Sequence, residues 1–239
     1  MIVYGINPVL EALRAGRVRE LHVAGSSARL RELLALAKES GVRVRQVPAE
    51  ILERESGRGV HQGIVADVEN VQDFSVEDLV RGARATPLIV VLDGIEDPHN
   101  LGAILRTADV AGVDGVVVQS RRSAALGGAA AKASAGAVAH VRIAEVVNIA
   151  RALDELKEAG VWTVGLAGEA ETAYDSIDFT VPSAIVLGAE ESGLRRLVRE
   201  RCDFLASIPM LGHVGSLNVS VSAGIVLFEA VRQRRTVSS

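Results

Sequence analysis

Polar side chains set into apolar sequence mark three stretches where this chain could do chemistry. The first is Asp93-Gly94-Ile95-Glu96-Asp97-Pro98-His99-Asn100-Leu101-Gly102, followed by Arg106. If a helix starts near Asn100, Arg106 lies about two turns in and can point along it. Asn100 reads equally as a helix cap. The second stretch is Gly188-Ala189-Glu190-Glu191-Ser192-Gly193-Leu194, directly after an apolar run. The third is Ile208 to Val231, IPMLGHVGSLNVSVSAGIVLFEAV. There Ser216, Asn218 and Ser220 alternate with Leu217, Val219 and Val221 at the opening of a long apolar helix. Buried hydroxyls and amides cost free energy unless they find partners, so a site is expected there. Gly212 and Gly215 before them permit backbone angles that other residues avoid. A helix start offers free N–H groups and a positive dipole end, which suits an anionic or polar ligand. Leu166-Ala167-Gly168-Glu169, also after an apolar run, is a fourth candidate.

Several chemistries lack their residues. No G-x-G-x-x-G follows a first strand and no G-x-x-x-x-G-K-[ST] occurs, so the common dinucleotide and triphosphate cradles are missing. There is no serine-elbow pattern and no histidine pair at metal-ligand spacing, so no metal is expected. His22, His61, His99, His140 and His213 are scattered and read as structural or surface residues. The single cysteine, Cys202, excludes an internal disulfide framework and a cysteine-rich zinc site.

The elements that must position these stretches fall into two groups. Over residues 1–69, helices are expected at Asn7–Ala15 (capped by Asn7-Pro8), Ser27–Ser40 and Ala49–Glu55, with strands at Glu20–Ala24, Val42–Val47 and Gly63–Val68. The strict alternation of Val42–Val47 predicts a half-exposed strand. Ser56 to Gly63, with three glycines, Arg58 and His61, is a loop that can approach an RNA backbone or simply connect two elements. Residues 71–85, polar with one short amphipathic turn, are expected to link the two units. From Pro87, the continuous run Leu88–Leu92 predicts a strand covered on both faces. Further strands are expected at 115–119, 140–143, 161–166, 184–187 and 204–208. Helices are expected at 101–111, 124–135, 146–159, 192–201 and from Ser216 onward. Strands alternating with helices over about 150 residues predict an α/β fold with a mostly parallel sheet, whose site lies at the carboxyl ends of its strands.

Composition agrees with a soluble globular protein of 239 residues, 49% hydrophobic and 23% charged. No apolar run reaches the roughly 18 residues of a membrane span, and the start has no signal-peptide pattern. A cytoplasmic location is expected. Net charge is −4: residues 1–70 carry 10 Lys+Arg against 9 Asp+Glu, and residues 85–239 carry 14 against 18. Any nucleic-acid surface is therefore a local patch, and Arg195, Arg196, Arg199 and Arg201, with Arg121, Arg122 and Lys132, are candidates for it. The same residues read equally as a solvated helix face.

Taken together, "DPHNLGAILRTAD", "IVLGAEESGL" and "IPMLGHVGSLNVSVSAGIVLFEA" closely resemble the three motifs of the SpoU (TrmH-type) RNA 2′-O-ribose methyltransferases of the SPOUT superfamily. The likeness runs in order and spacing over residues 88–235. "YGINPVLEAL" and "GRGVHQGIVA" resemble the substrate-binding domain of the RlmB-like branch, an L30e-like RNA-binding module. The resemblance implies an RNA-binding domain at 1–70, a linker at 71–85 and a catalytic domain at 86–239 that ends in a trefoil knot. It implies transfer of a methyl group from S-adenosylmethionine to a ribose 2′-hydroxyl, most simply of a guanosine in large-subunit (23S) ribosomal RNA. That cofactor is a cationic sulfonium rather than the anion that the helix start alone suggested. Gly168, Gly188, Ile208, Leu217 and Ser220 are the cofactor-binding positions that carry over, and Asn100, Arg106, Glu190, Ser216 and Asn218 the catalytic ones. Asn100 and Glu190 are expected to orient Arg106, the family's proposed base or activator. A homodimer is implied, with Arg106 of one chain reaching the site of the other. Glu191 stands after Glu190 where the family's motif usually carries glycine, so a different local geometry is expected in that loop. The alternatives are a tRNA 2′-O-methyltransferase of the same family and a non-catalytic RNA-binding or ribosome-assembly protein. A nicotinamide dehydrogenase would need the glycine fingerprint that is missing.

Overall fold

The computed structural model describes residues 2–57, 59–68, 74–120, 123–124, 126 and 128–237. Arg58, Arg121 and Arg122, named above as candidates for RNA contact, and the start of the expected linker lie outside the described residues. The first unit holds strands β1 (Ile2–Tyr4), β2 (Val18–Val23), β3 (Arg43–Gln46) and β4 (Ile64–Val68). Helices α1 (Ile6–Arg14), α2 (Ala28–Glu39) and α3 (Ala49–Glu55) alternate with them. The sheet order is β1-β4-β2-β3, with β2 and β3 parallel and the other pairs antiparallel. Leu30, Leu33 and Ala37 bury one face of α2, and the Ser27 hydroxyl caps it by accepting from Leu30 N at 3.2 Å. Asn7 does not cap α1. The helix starts earlier, at Ile6 after Gly5, and the Ile6 N–H donates instead to Gln62 Oε1 at 3.0 Å. All four residues of β3, an edge strand, are exposed rather than alternately covered. Arg43 and Arg45 there pair with Glu20 across the sheet at 3.3 and 2.8 Å.

Helix α4 (Val76–Arg81) follows. Ser75 and Asp78 form a capping box, each side chain accepting from the other's backbone N–H. Val76 and Leu79 are buried in the core of the second unit, so the amphipathic turn expected within 71–85 is a packed helix.

The second unit is a six-stranded, all-parallel sheet in the order β10-β8-β9-β5-β6-β7. Its strands are β5 (Leu88–Asp93), β6 (Gly115–Gln119), β7 (Ile143–Val146), β8 (Trp162–Leu166), β9 (Ser183–Gly188) and β10 (Phe204–Ala206). Its helices are α5 (Pro98–Val110), α6 (Gly128–Ala133), α7 (Ile149–Glu158), α8 (Arg196–Arg201) and α9 (Val219–Val237). Every residue of β5 and β6 is buried, as expected for strands covered on both faces. The chain leaves β5 toward β6 and β7 on one side and later fills β8, β9 and β10 on the other. Its topological switch point is therefore at β5 and β9, where such sheets place ligands. Strand β7 falls three residues later than expected, because Ala137–Ala139 form one 3₁₀ turn after Gly136, whose φ is 96°.

The two units are packed together. One cluster of buried side chains includes Val3, Val9 and Leu21 from the first and Leu101, Ala130 and Val138 from the second. Arg17 Nη1 donates to the carbonyls of Val138 and Ala139 at 3.4 and 2.7 Å. No helix among the described residues is long and apolar enough to cross a membrane.

Candidate active site

Helix α5 begins at Pro98, not Asn100. Asp97 is its cap, accepting from His99 N at 2.9 Å, and proline occupies the first turn. Asn100 is therefore free to act inside the helix, where it is buried to 8% exposure. Its amide Nδ2 donates to Glu190 Oε2 at 3.1 Å, and its Oδ1 accepts from Asn218 Nδ2 at 2.9 Å. The same Asn218 nitrogen donates to Glu190 Oε1 at 2.5 Å. Asn218 Oδ1 accepts from both the backbone N–H and the hydroxyl of Ser220, at 2.9 and 2.5 Å. An N–H must face an oxygen, so Ser220 fixes which way the Asn218 amide points, and Asn218 in turn fixes Asn100. Both oxygens of Glu190 are thereby engaged by amides from separate elements. The three motifs meet here, from positions 90 and 118 residues apart.

The final helix starts at Val219 rather than Ser216, and Asn218 is the residue that caps it. The Ser220 N–H, one of the free groups that suggested an anion site, is thus met by the chain itself. Ser216, Leu217 and Val221 are exposed rather than buried, so the alternation of polar and apolar residues marks a loop and a helix entry, not a core.

The loop carrying Glu190 is held closed. Gly193 N donates to Ala189 O at 2.8 Å, and Gly193 has a φ of 63°, a backbone angle that favours glycine. A Cβ on Gly188 would collide with the Gly193 carbonyl group. Just beyond, Arg195 donates from its backbone N and its Nε to the two oxygens of Asp93, at 2.8 and 2.6 Å. The Asp93 side chain is fully buried at the end of β5, so its pairing with the half-exposed Arg195 is an anchor for the loop. This closure leaves Glu191 and Ser192 as exposed residues. Asp93 was legible only as the first residue of a loop and Arg195 only as part of a basic cluster; no spacing rule joins residues 102 apart.

A narrow cavity of about 150 Å³ lies next to this network. Its walls are the ends of β8 (Leu166–Gly168), β9 (Leu187–Glu190) and β10 (Ala206–Ile208), closed by Gly215–Leu217. Gly168, Gly188, Ile208 and Leu217, four of the expected cofactor positions, line it, and Ser216 joins them. Ser220 does not: its hydroxyl is turned to Asn218 Oδ1. A Cβ on Gly168 would meet nothing within 4 Å, and most of the lining is glycine and aliphatic residues, with Ser207, Ser216, Ser222 and Glu190 as the polar ones. Such walls fit a nucleoside-bearing group held by backbone groups rather than by charge. Beside Gly168, the Glu169 carboxyl is held below its usual range by its own backbone N–H and, against some desolvation, by Arg199. A second, wider cavity of about 520 Å³ shares Ala189, Glu190 and Val219 with the first and reaches Asn100, Gln119 and Arg195.

Arg106 is apart from all this. It is exposed on α5, and among the described residues it has no hydrogen bond or ion pair. Six residues beyond Asn100, it lies about 9 Å further along the helix and on another face. Within one chain, Asn100 and Glu190 do not orient it.

The sequence profile described as the SpoU rRNA Methylase family matches residues 87–228, and that of RNA 2′-O ribose methyltransferase substrate binding matches residues 2–74. The 23S rRNA (guanosine-2′-O-)-methyltransferase RlmB of Pseudomonas putida is 46% identical over 98% of this chain and 96% of its own length. RlmB of Yersinia pestis is 45% identical over 98% and 97%. Among solved structures, the SpoU methyltransferase AviRb from Streptomyces viridochromogenes, in complex with the cofactor AdoMet, superposes with a TM-score of 0.82 at 29% identity. The match covers 99% of this chain and 91% of that one. Matched by its motifs, by both profiles and along its whole length by these relatives, the chain belongs to the SpoU rRNA methylase family.

Proposed function

We propose that this protein methylates the ribose 2′-hydroxyl of a guanosine in 23S ribosomal RNA, with S-adenosylmethionine as methyl donor, and that it works as a homodimer in the cytoplasm. The observation that carries this reading is the Asn100–Glu190–Asn218 network, set against a glycine-rich cavity at the carboxyl ends of β8, β9 and β10. Gly168, Gly188, Ile208 and Leu217 are the residues assigned to hold S-adenosylmethionine, which supplies an electrophilic methyl on a sulfonium. Ser216 closes the cavity on the side of the network. Asn100, Glu190 and Asn218 hold the motif-one helix, the motif-two loop and the entry to α9 in one fixed arrangement. The attacking hydroxyl must be aligned and must lose a proton. Arg106 stays protonated because a guanidinium has a pKa above about 12, so we assign it to clamp the neighbouring phosphate of the RNA. That clamp positions the hydroxyl and leaves the phosphate oxygen as proton acceptor.

Arg106 and α9 support the dimer. Val221 and Phe228 are each 49% exposed, seven residues apart and so on one face of α9, and Leu211 and Val214 of the preceding loop are also exposed. A second copy covering this face brings an unpaired Arg106 toward a site that the same chain's Arg106 does not reach. We also infer the trefoil knot. Strand β10 lies at the sheet edge beside β8, yet α9 packs on α5 and β9. Residues 207–218 must therefore pass over the carboxyl ends of β8 and β9, the path such a knot requires.

Transfer of labelled methyl from S-adenosylmethionine to unmethylated 23S ribosomal RNA tests the reading. We expect transfer by the wild type and little by Arg106→Ala. Mixed Arg106→Ala and Asn218→Ala chains should regain up to about a quarter of wild-type activity, since half of randomly paired dimers carry one intact site. No regain in a mixture shown to exchange subunits would remove the shared site. In cells lacking the protein, one guanosine of 23S RNA should lose its 2′-O-methyl, and loss from tRNA instead would overturn the substrate assignment.

A further inference from the structure

The wider cavity beside the Asn100–Glu190–Asn218 network does not end there. A third cavity of about 500 Å³ shares Gln119 and Arg195 with it and runs on between the β7–α7 turn and the start of α8. The two form a trough leading away from the reacting centre across the carboxyl end of β6. Four features line its far half. Val147 is 76% exposed and Leu197 is 54% exposed, and they face the same cavity. Arg196, on that cavity's wall, is held only by an ion pair to Glu200 between two largely exposed side chains, which contributes little and exchanges readily. Gln119 is only 8% exposed; its Nε2 donates to Val147 O at 3.3 Å, and its Oε1 has no hydrogen-bond partner among the described residues. A buried acceptor without a donor is costly, and this one belongs to a side chain lining both halves of the trough.

We infer that this trough is a substrate subsite: its near half takes the target guanosine and its far half takes the adjoining nucleotide of an unstacked RNA strand. This rests on the reading of the reaction given above. Apolar side chains flanked by arginines suit a nucleotide, which offers a flat base and an anionic phosphate. Charge sets the direction of the strand. Glu96, Asp97, Glu190 and Glu191 line the near half and repel phosphate, whereas Arg196 stands on the far wall and Arg195, at the seam, is held by the buried Asp93. The sugar–phosphate chain therefore follows the arginine side, and the bases turn inward, where the Gln119 carbonyl accepts an N–H from a base edge. Base contacts of this kind read sequence, and phosphate contacts fix register.

The test uses the full-length protein, unmethylated 23S RNA and saturating S-adenosylmethionine, with Arg196→Glu and Leu197→Ala, neither of which belongs to the methyl-transfer network. Arg196→Glu should raise the KM for RNA about tenfold and lower the slope of log affinity against log salt by about 1. Leu197→Ala should raise that KM severalfold. Neither should change kcat or the KM for S-adenosylmethionine, which also reports that the fold is intact. 4-Thiouridine placed next to the methylated guanosine should cross-link to residues 145–150 or 195–201. If the wild type transfers methyl normally while both variants keep an RNA KM within twofold of it, or the cross-links fall elsewhere, the subsite is overturned alone. No transfer by the wild type to any RNA would overturn the reaction and the subsite together.

Discussion

Asn218 shows how little freedom the centre has. Its Oδ1 is claimed by the Ser220 N–H and hydroxyl, so its Nδ2 must face Asn100 and Glu190. Asn218→Asp keeps the helix cap but turns an oxygen toward Glu190 Oε1, 2.5 Å from the atom it replaces. Like charges at that distance force the loops apart or force protonation. We expect kcat to fall about 100-fold, measured by methyl transfer, with the two-carboxylate penalty easing as pH is lowered. Ser220→Ala removes one of two donors to Asn218 Oδ1 and should cost under tenfold. The anchor behind Glu190 behaves differently. Arg195→Ala leaves the fully buried Asp93 carboxylate with only a backbone donor, and urea unfolding should show a loss of about 3 kcal/mol. At this scale the sequence pointed to Asn100, Glu190 and Asn218 through loops that follow apolar strands and through the resemblance of the three motifs. It did not reveal the partners themselves. Hydrogen bonds between residues about a hundred apart depend on strand order, which periodicity does not carry, and so Asp93–Arg195 escaped.

Elements were legible in kind and less so at their ends. The start of α5 was expected at Asn100 because asparagine caps well, but Asp97-Pro98 is the stronger signal and won. For α9 the reverse held: the apolar run reached back to Leu217, and Asn218 cut it short by capping. Two glycines in these elements allow backbone contact that a pattern of hydrophobicity does not show. Gly102 sits mid-helix in α5, where alanine ordinarily gains about 1 kcal/mol. Here a Cβ would meet Ala133 Cβ and, at 2.6 Å, Ala130 O of α6. Gly102→Ala should therefore lower the melting temperature instead of raising it, because overpacking of this kind costs about 1–3 kcal/mol. Gly188→Ala would displace the Glu190 loop, and activity should fall much more than far-ultraviolet circular dichroism changes.

For the whole molecule, alternating strands and helices identified an α/β chain, while α4, within the expected linker 71–85, packs into the core of the second unit. The strand orders stayed hidden, as did the buried cluster shared by both units, which leads us to expect a single unfolding transition. Two neighbouring groups below α7 give that transition opposite slopes at the two ends of the pH scale. Asp203 loses some hydration on burial, but donors outweigh this: Thr163 N at 2.8 Å, Thr163 Oγ1 at 2.7 Å and Lys157 Nζ at 3.0 Å. Its pKa therefore lies below the ordinary 3.8. A carboxyl depressed by folding contributes stability above its unfolded value and loses that contribution as pH falls through the folded one. Cys202, next in the chain, is the opposite case: burial first, then the Asp203 and Asp93 charges, push its thiol up to about 12 against Lys157. Its contribution is complete below the ordinary 9.0 and is lost as pH rises from there toward 12. Urea midpoints measured across pH should fall at both ends. Asp203→Asn should flatten the acid limb alone, below about pH 4, and Cys202→Ala the alkaline limb alone. The thiol should also resist iodoacetamide at pH 8 until urea unfolds the chain, since the thiolate is the reactive form. Rapid alkylation of the native protein at that pH would mean that the thiol is not held protonated in the fold.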